Sequence, residues 1–138
     1  MANGEPKTRI LIVDDDVTLL GMYKERLEAS GYEVVTASDG REALSKAIEY
    51  LPQCMLLDVL MPNVNGFDVL ENIRSNHETQ NIPVIMLTAL VQDANKQKGL
   101  AEGADDYIIK SEIMPGEVIE KIETVIKKRQ EDMAKKAN

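Results

Sequence analysis

The chain has 138 residues, room for one domain of ordinary size, and its 43% hydrophobic and 29% charged content excludes disordered, collagen-like and fibrous classes. The 16 basic and 24 acidic side chains leave a net charge of −8, which repels nucleic-acid phosphates and anionic membrane surfaces, so neither is expected as a partner. No apolar run approaches the ~20 residues of a membrane span, and the opening MANGEPKTR lacks the apolar core of a signal peptide, so a cytoplasmic location is expected. The single cysteine, Cys54, and single histidine, His77, exclude an internal disulfide and a His/Cys zinc site. His77 lies in a polar stretch (SNHET) and reads as solvated. Three segments are expected: an N-terminal extension over residues 1–7, one folded domain over 8–127, and a basic helix end or tail over 128–138. Lysines and arginines there complement a helix C-terminal dipole.

In chain order, apolar runs read as strands at residues 10–13 (ILIV), 53–57 (QCMLL), 82–87 (IPVIML) and 107–109 (YII). Continuous apolarity marks strands covered on both faces, as in a parallel sheet between helices. Residues 32–36 (YEVVT) are more amphipathic and suit a sheet edge. Helical spacing separates these runs: Val17, Leu20 and Leu27; Ala43, Leu44, Ala47 and Ile48; Val69, Leu70 and Ile73; and Val118, Ile119, Ile122, Val125 and Ile126. Ser30-Gly31, Asp39-Gly40, Asn65-Gly66 and Met114-Pro115-Gly116 punctuate the helix ends. The alternation, β then α five times, predicts an α/β doubly wound sheet of five strands.

Ligands of such sheets bind beyond the carboxyl ends of the strands. The residues just past the runs there are Asp14, Asp15, Asp16, Asp58, Thr88 and Lys110, all polar. Asp16 before Val17 reads as a helix N-cap. Two or three carboxylates within ~4 Å repel by several kcal/mol at an effective dielectric near 20, so they call for a hard divalent cation such as magnesium. Magnesium is commonly held by one or two carboxylates together with phosphate oxygens, and an ammonium and a hydroxyl would complete a cradle for a phosphoryl group. Asp58 supplies a nucleophile that forms an acyl phosphate.

With these residues in place, the chain resembles the receiver domain of two-component response regulators over roughly residues 7–127. ILIVDDD is similar to that family's first-strand acidic pair, LLDVLMPNVNGFD to its phosphoacceptor loop, VIMLTA to its switch strand and GADDYIIK to its last-strand signature. The resemblance implies a flavodoxin-like strand order 2-1-3-4-5 with five flanking helices. It implies that Asp58 accepts phosphate from the phosphohistidine of a histidine kinase or phosphotransfer protein docking near the first helix. It gives Mg2+ as cofactor, bound by Asp15 directly, Asp14 largely through water, Asp58 and the Leu60 carbonyl. Thr88 and Lys110 contact the phosphoryl group, and Tyr107 turns inward from a partly exposed position when Thr88 moves. The signalling surface falls on residues 93–102, 105–109 and 116–127. The chain is then a phosphoacceptor rather than an enzyme and acts on a downstream protein target. Two positions depart from the family pattern. Ser111 stands where proline usually follows the lysine, and Leu60 and Leu90, two past Asp58 and Thr88, cannot position an attacking water.

Three alternatives remain. Residues 10–18 (ILIVDDDVT) also fit the signature of haloacid-dehalogenase-like phosphatases, with Asp14 as nucleophile and Asp16 as general acid. The fold could serve as a phosphorylation-independent interaction module, or the chain could be a receiver cut from a longer transcriptional regulator.

Overall fold

The computed structural model describes residues 7–61, 64–88, 103–110 and 115–137. Its elements in chain order are β1 (Arg9–Val13), α1 (Val17–Ala29), β2 (Glu33–Ala37), α2 (Gly40–Tyr50), β3 (Cys54–Asp58), β4 (Leu60–Met61), β5 (Val64–Asn65), α3 (Gly66–Ser75), β6 (Val84–Thr88), β7 (Asp106–Ile109) and α4 (Pro115–Ala137). Five strands form one parallel sheet in the order β2-β1-β3-β6-β7, the doubly wound arrangement expected, with the amphipathic β2 at an edge. The further helix expected between Thr88 and Asp106 falls outside the described residues, as do Leu90 and the Lys110–Ser111 linkage.

The two-residue period of a strand distributes the core to both faces. Leu11, Val13, Met55, Leu57, Val84, Met86 and Tyr107 pack with Ala43, Ala47, Leu70 and Ile73, so α2 and α3 cover one face. Ile10, Ile12, Leu56, Ile85, Leu87 and Ile108 pack with Leu20, Leu27, Val118, Ile122 and Val125, so α1 and α4 cover the other. β3 and β6 are buried at every position, which is why their sequences show no alternation.

Helix starts follow the capping residues. Asp16, Asp39 and Asn65 each accept a hydrogen bond from a backbone N–H of the first helical turn, at 3.1, 2.8 and 2.8 Å. Strand limits shift slightly from the apolar runs: Ile82 and Pro83 precede β6, while Asp58 and Thr88 end strands rather than following them. The small antiparallel β4–β5 hairpin has no counterpart in the sequence reading, because two-residue strands carry no periodic signal. Residues 128–137 are the last turns of α4, which runs through Ala137, and Arg129 there is paired to Asp105 at 2.6 Å.

Candidate functional site

Register explains why residues far apart in the chain meet. Val13 pairs with Leu57, Asp58 with Leu87 and Thr88 with Ile109, so Asp14, Asp58, Thr88 and Lys110 occupy successive rungs at the carboxyl ends of four adjacent strands. Asp14 is 1% exposed and Asp58 4%, and Thr88 is fully buried. Lys110 donates to Asp14 Oδ2 at 2.6 Å and lies 3.5 Å from Asp58 Oδ2. Asp14 Oδ1 accepts the Asp16 N–H at 2.9 Å, and Asp58 Oδ1 accepts the Leu60 N–H at 3.1 Å, so each carboxylate is oriented by its own chain two residues on.

Asp14, Asp15 and Asp58 each offer a carboxylate oxygen within 4.8 Å of the others, and Asp15 is exposed. Among the described residues, three acids against one ammonium group leave surplus negative charge in a half-buried recess. An all-oxygen set with one face open to water fits a hard, partly hydrated divalent cation. Leu60 lies at the start of the hairpin beside this recess and is 52% exposed.

Burial and the neighbouring Asp14 charge push the Asp58 carboxyl up to about 6, although Lys110 and the Leu60 N–H pull the other way. Burial alone would lower the Lys110 pKa, but the Asp14 hydrogen bond and the charges of Asp58 and Asp14 outweigh it and the net shift is upward. Lys110 is therefore a fixed cation, while Asp58 is a carboxylate held in a site that disfavours its charge.

Tyr107 departs from expectation: it is 6% exposed and already turned into the core beside Met86 rather than partly exposed. Burial raises its hydroxyl pKa, with a smaller opposing effect from the nearby Thr88 hydroxyl. That approach falls short of full hydrogen-bond geometry, so among the described residues the buried Tyr107 hydroxyl has no proper partner.

Gly66 backs the site from below. Its N–H donates to the Val59 carbonyl at 2.9 Å, and a Cβ there would collide with the Asp58 backbone carbonyl. Gly66→Ala is expected to cost about 2–3 kcal/mol of stability by overpacking against rigid backbone, read from urea denaturation.

Residues 10–123 match the family model of the response regulator receiver domain. The chain belongs to that family. This receiver domain is 40% identical over 124 residues to the probable transcriptional regulator ycf27 of Guillardia theta, covering 90% of this chain and 47% of that protein. It is 38% identical over 120 residues to the alkaline phosphatase synthesis transcriptional regulatory protein PhoP of Bacillus subtilis, covering 87% and 49%. The chain thus spans about half the length of the curated relatives it matches. Among solved structures, the CheY-like receiver domain of Methanospirillum hungatei superposes with a TM-score of 0.84 at 32% identity, covering 92% of this chain and 99% of that one. Chemotaxis protein CheY4 of Vibrio cholerae gives 0.81 at 33% identity, covering 87% and 99%. Membership makes the chain a phosphoacceptor module of two-component signalling, a signalling domain rather than an enzyme in the ordinary sense. The phosphatase alternative does not stand beside it, and Asp16, its general acid, is engaged as the N-cap of α1. No helix among the described residues is long and apolar enough to cross a membrane.

A second charged cluster has no counterpart among the site residues expected from sequence: Asp105, there only a member of GADDYIIK and of the signalling surface over 105–109, pairs with Arg74 at 2.8 Å as well as with Arg129. Neither arginine has a telling neighbour in sequence, so only the fold could bring them together.

Proposed function

We propose that Asp58 is the phosphoacceptor, that Asp14, Asp15, Asp58 and the Leu60 carbonyl hold Mg2+, and that Thr88 and Lys110 bind the phosphoryl group. The observation that carries this reading is the convergence of three carboxylates, one ammonium group and a buried hydroxyl on adjacent strand ends.

An Asp58 oxygen attacks phosphorus, the bond from phosphorus to the donor nitrogen or oxygen breaks, and the departing group leaves with the electron pair. Asp58 Oδ1 is turned toward the Leu60 N–H, while Oδ2 faces Lys110. Lys110 already stands where negative charge develops on the transferring oxygens, so little reorganisation is required. Bound Mg2+ supplies charge neutralisation for the carboxylates and the incoming phosphoryl oxygens. Thr88, at the end of β6, donates its hydroxyl to the new group, and its displacement changes the surroundings of the Tyr107 hydroxyl. That change alters the surface carried by β7 and α4, which binds a protein target. The donor is the phosphohistidine of a sensor kinase or phosphotransfer protein approaching by α1. The curated relatives are named transcriptional regulators; in a protein of their length this chain would be the input half. The chain itself, at net −8, repels nucleic-acid phosphates.

Incubation with Mg2+ and acetyl phosphate tests the reading. A mass increase of ~80 Da, the phosphoryl group, is expected in the wild type and absent in Asp58→Asn or with EDTA. An equal gain in Asp58→Asn would refute it.

Leu60 bears on how long the signal lasts. Its exposed aliphatic side chain beside Asp58 cannot align or deprotonate a water, and such assistance is commonly worth 10²–10⁴-fold. The acyl phosphate is expected to persist on the order of hours, and Leu60→Glu to shorten that lifetime about tenfold or more, followed by loss of the adduct mass after donor removal. Fast decay in both proteins would contradict this.

A further inference from the structure

The amino end of β7, opposite Lys110, is anchored by a single carboxylate. The Asp105 N–H donates to the Val84 carbonyl at 2.7 Å, and its Oδ1 accepts the Val84 N–H at 3.0 Å. The same carboxylate receives Arg74 at 2.8 Å and two N–H groups of Arg129 at 2.6 and 3.0 Å. Arg74 also donates to the Ile82 carbonyl at 2.6 Å and the Gly103 carbonyl at 2.9 Å. One side chain thus ties together the starts of β6 and β7, the last turn of α3 and the later part of α4.

β7 needs such an anchor. It is an edge strand of four residues that pairs only with β6 among the described residues, so no second ladder holds it and only the burial of Tyr107 and Ile108 adds to that pairing. Lys110 follows its last residue and must reach past β6 and β3 to meet Asp14 at 2.6 Å.

We propose that Asp105, clamped between Arg74 and Arg129, is a positioning residue that sets where β7 lies along β6 and thereby where Lys110 stands against Asp58. Arg129 gives the clamp a control point. It lies beyond residue 123, where the family match ends, on a helix whose side chains at residues 130–135 are exposed. The inference rests on the reading of Asp58 as phosphoacceptor, and its test separates the two.

The experiment compares the full chain with Arg129→Met, Arg129→Gln and Arg129→Lys, reading Lys110 accessibility by reductive methylation and Asp58 labelling by acetyl phosphate. In the Met and Gln variants Lys110 methylation is expected to rise about threefold or more, and the labelling rate at saturating Mg2+ to fall by about the same factor. Misplacement of a catalytic group by ~1 Å has effects of this size or larger. Mg2+ affinity should stay within about twofold, since the carboxylates sit on β1 and β3, and Arg129→Lys should restore most of both rates. Arg129 is 24% exposed and Arg74 keeps its hold on Asp105, so the variants fold, as an NMR fingerprint will verify. Lys110 methylation within about twofold of wild type in a folded Met or Gln variant overturns the proposal. Methylation is read without phosphate, so a wild type that takes up no phosphoryl group would refute the phosphoacceptor reading alone.

Discussion

Lys110→Met should slow phosphorylation of Asp58 by about a hundredfold or more, the usual loss when one preorganised charge is removed from a transferring group. Methionine keeps most of the aliphatic stem, so the loss reports the ammonium group. A second consequence follows from the titration of Asp58. Its carboxyl lies at about 6 while Lys110 is pulling it down, so removing that cation should raise it further. Carbon-13 NMR of the metal-free protein should show the Asp58 carboxyl titrating near 6 in the wild type and higher in Lys110→Met. Initial labelling rates at saturating Mg2+ give the other half of the prediction. A rate within about threefold of wild type would remove Lys110 from the chemistry.

Asp58→Asn should make the metal-free protein more stable even as it abolishes phosphorylation. The Asp58 carboxyl rises from 3.8 to about 6 on folding, so between those values the folded state holds more protons than the unfolded state. Stability from this group is complete below about pH 4 and is lost as pH rises through about 6. At ~1.4 kcal/mol per pH unit the cost at pH 8 is on the order of 2–3 kcal/mol. Asparagine has no charge to desolvate and is expected to recover about 1–3 kcal/mol at pH 8 in EDTA, with the gain vanishing near pH 4 and shrinking when Mg2+ is added. Urea denaturation across that pH range measures it. A functional group that opposes folding is what a site tuned for a second cation predicts, whereas an Asp58 that stabilised the fold at pH 8 would be structural.

How much of this was readable in advance depended on whether the signal was local. β1, β3 and β6 announced themselves because strands buried on both faces need unbroken apolar runs, and Asp14, Asp58, Thr88 and Lys110 because each stands where such a run stops. Asp16 was legible as a cap, and Asp39 and Asn65 as punctuation at helix ends, because the signal lies in adjacent residues. The inward placement of Tyr107 was not, because it depends on the space left beside Met86 on the next strand. Nor was the role of Asp105, whose partners are 31 and 24 positions away and whose sequence neighbours point to the edge of the sheet. The β4–β5 hairpin escaped because four residues carry no period.

The most direct measurement is to trap the acyl phosphate and locate it. Protein treated with Mg2+ and acetyl phosphate is reduced with borohydride, which converts a phosphorylated aspartate to homoserine, and its peptides are sequenced by tandem mass spectrometry. A loss of about 14 Da relative to aspartate is expected at position 58 alone, as reduction of an acyl phosphate requires. Homoserine at position 14 or 15, with residue 58 unchanged, would contradict the account.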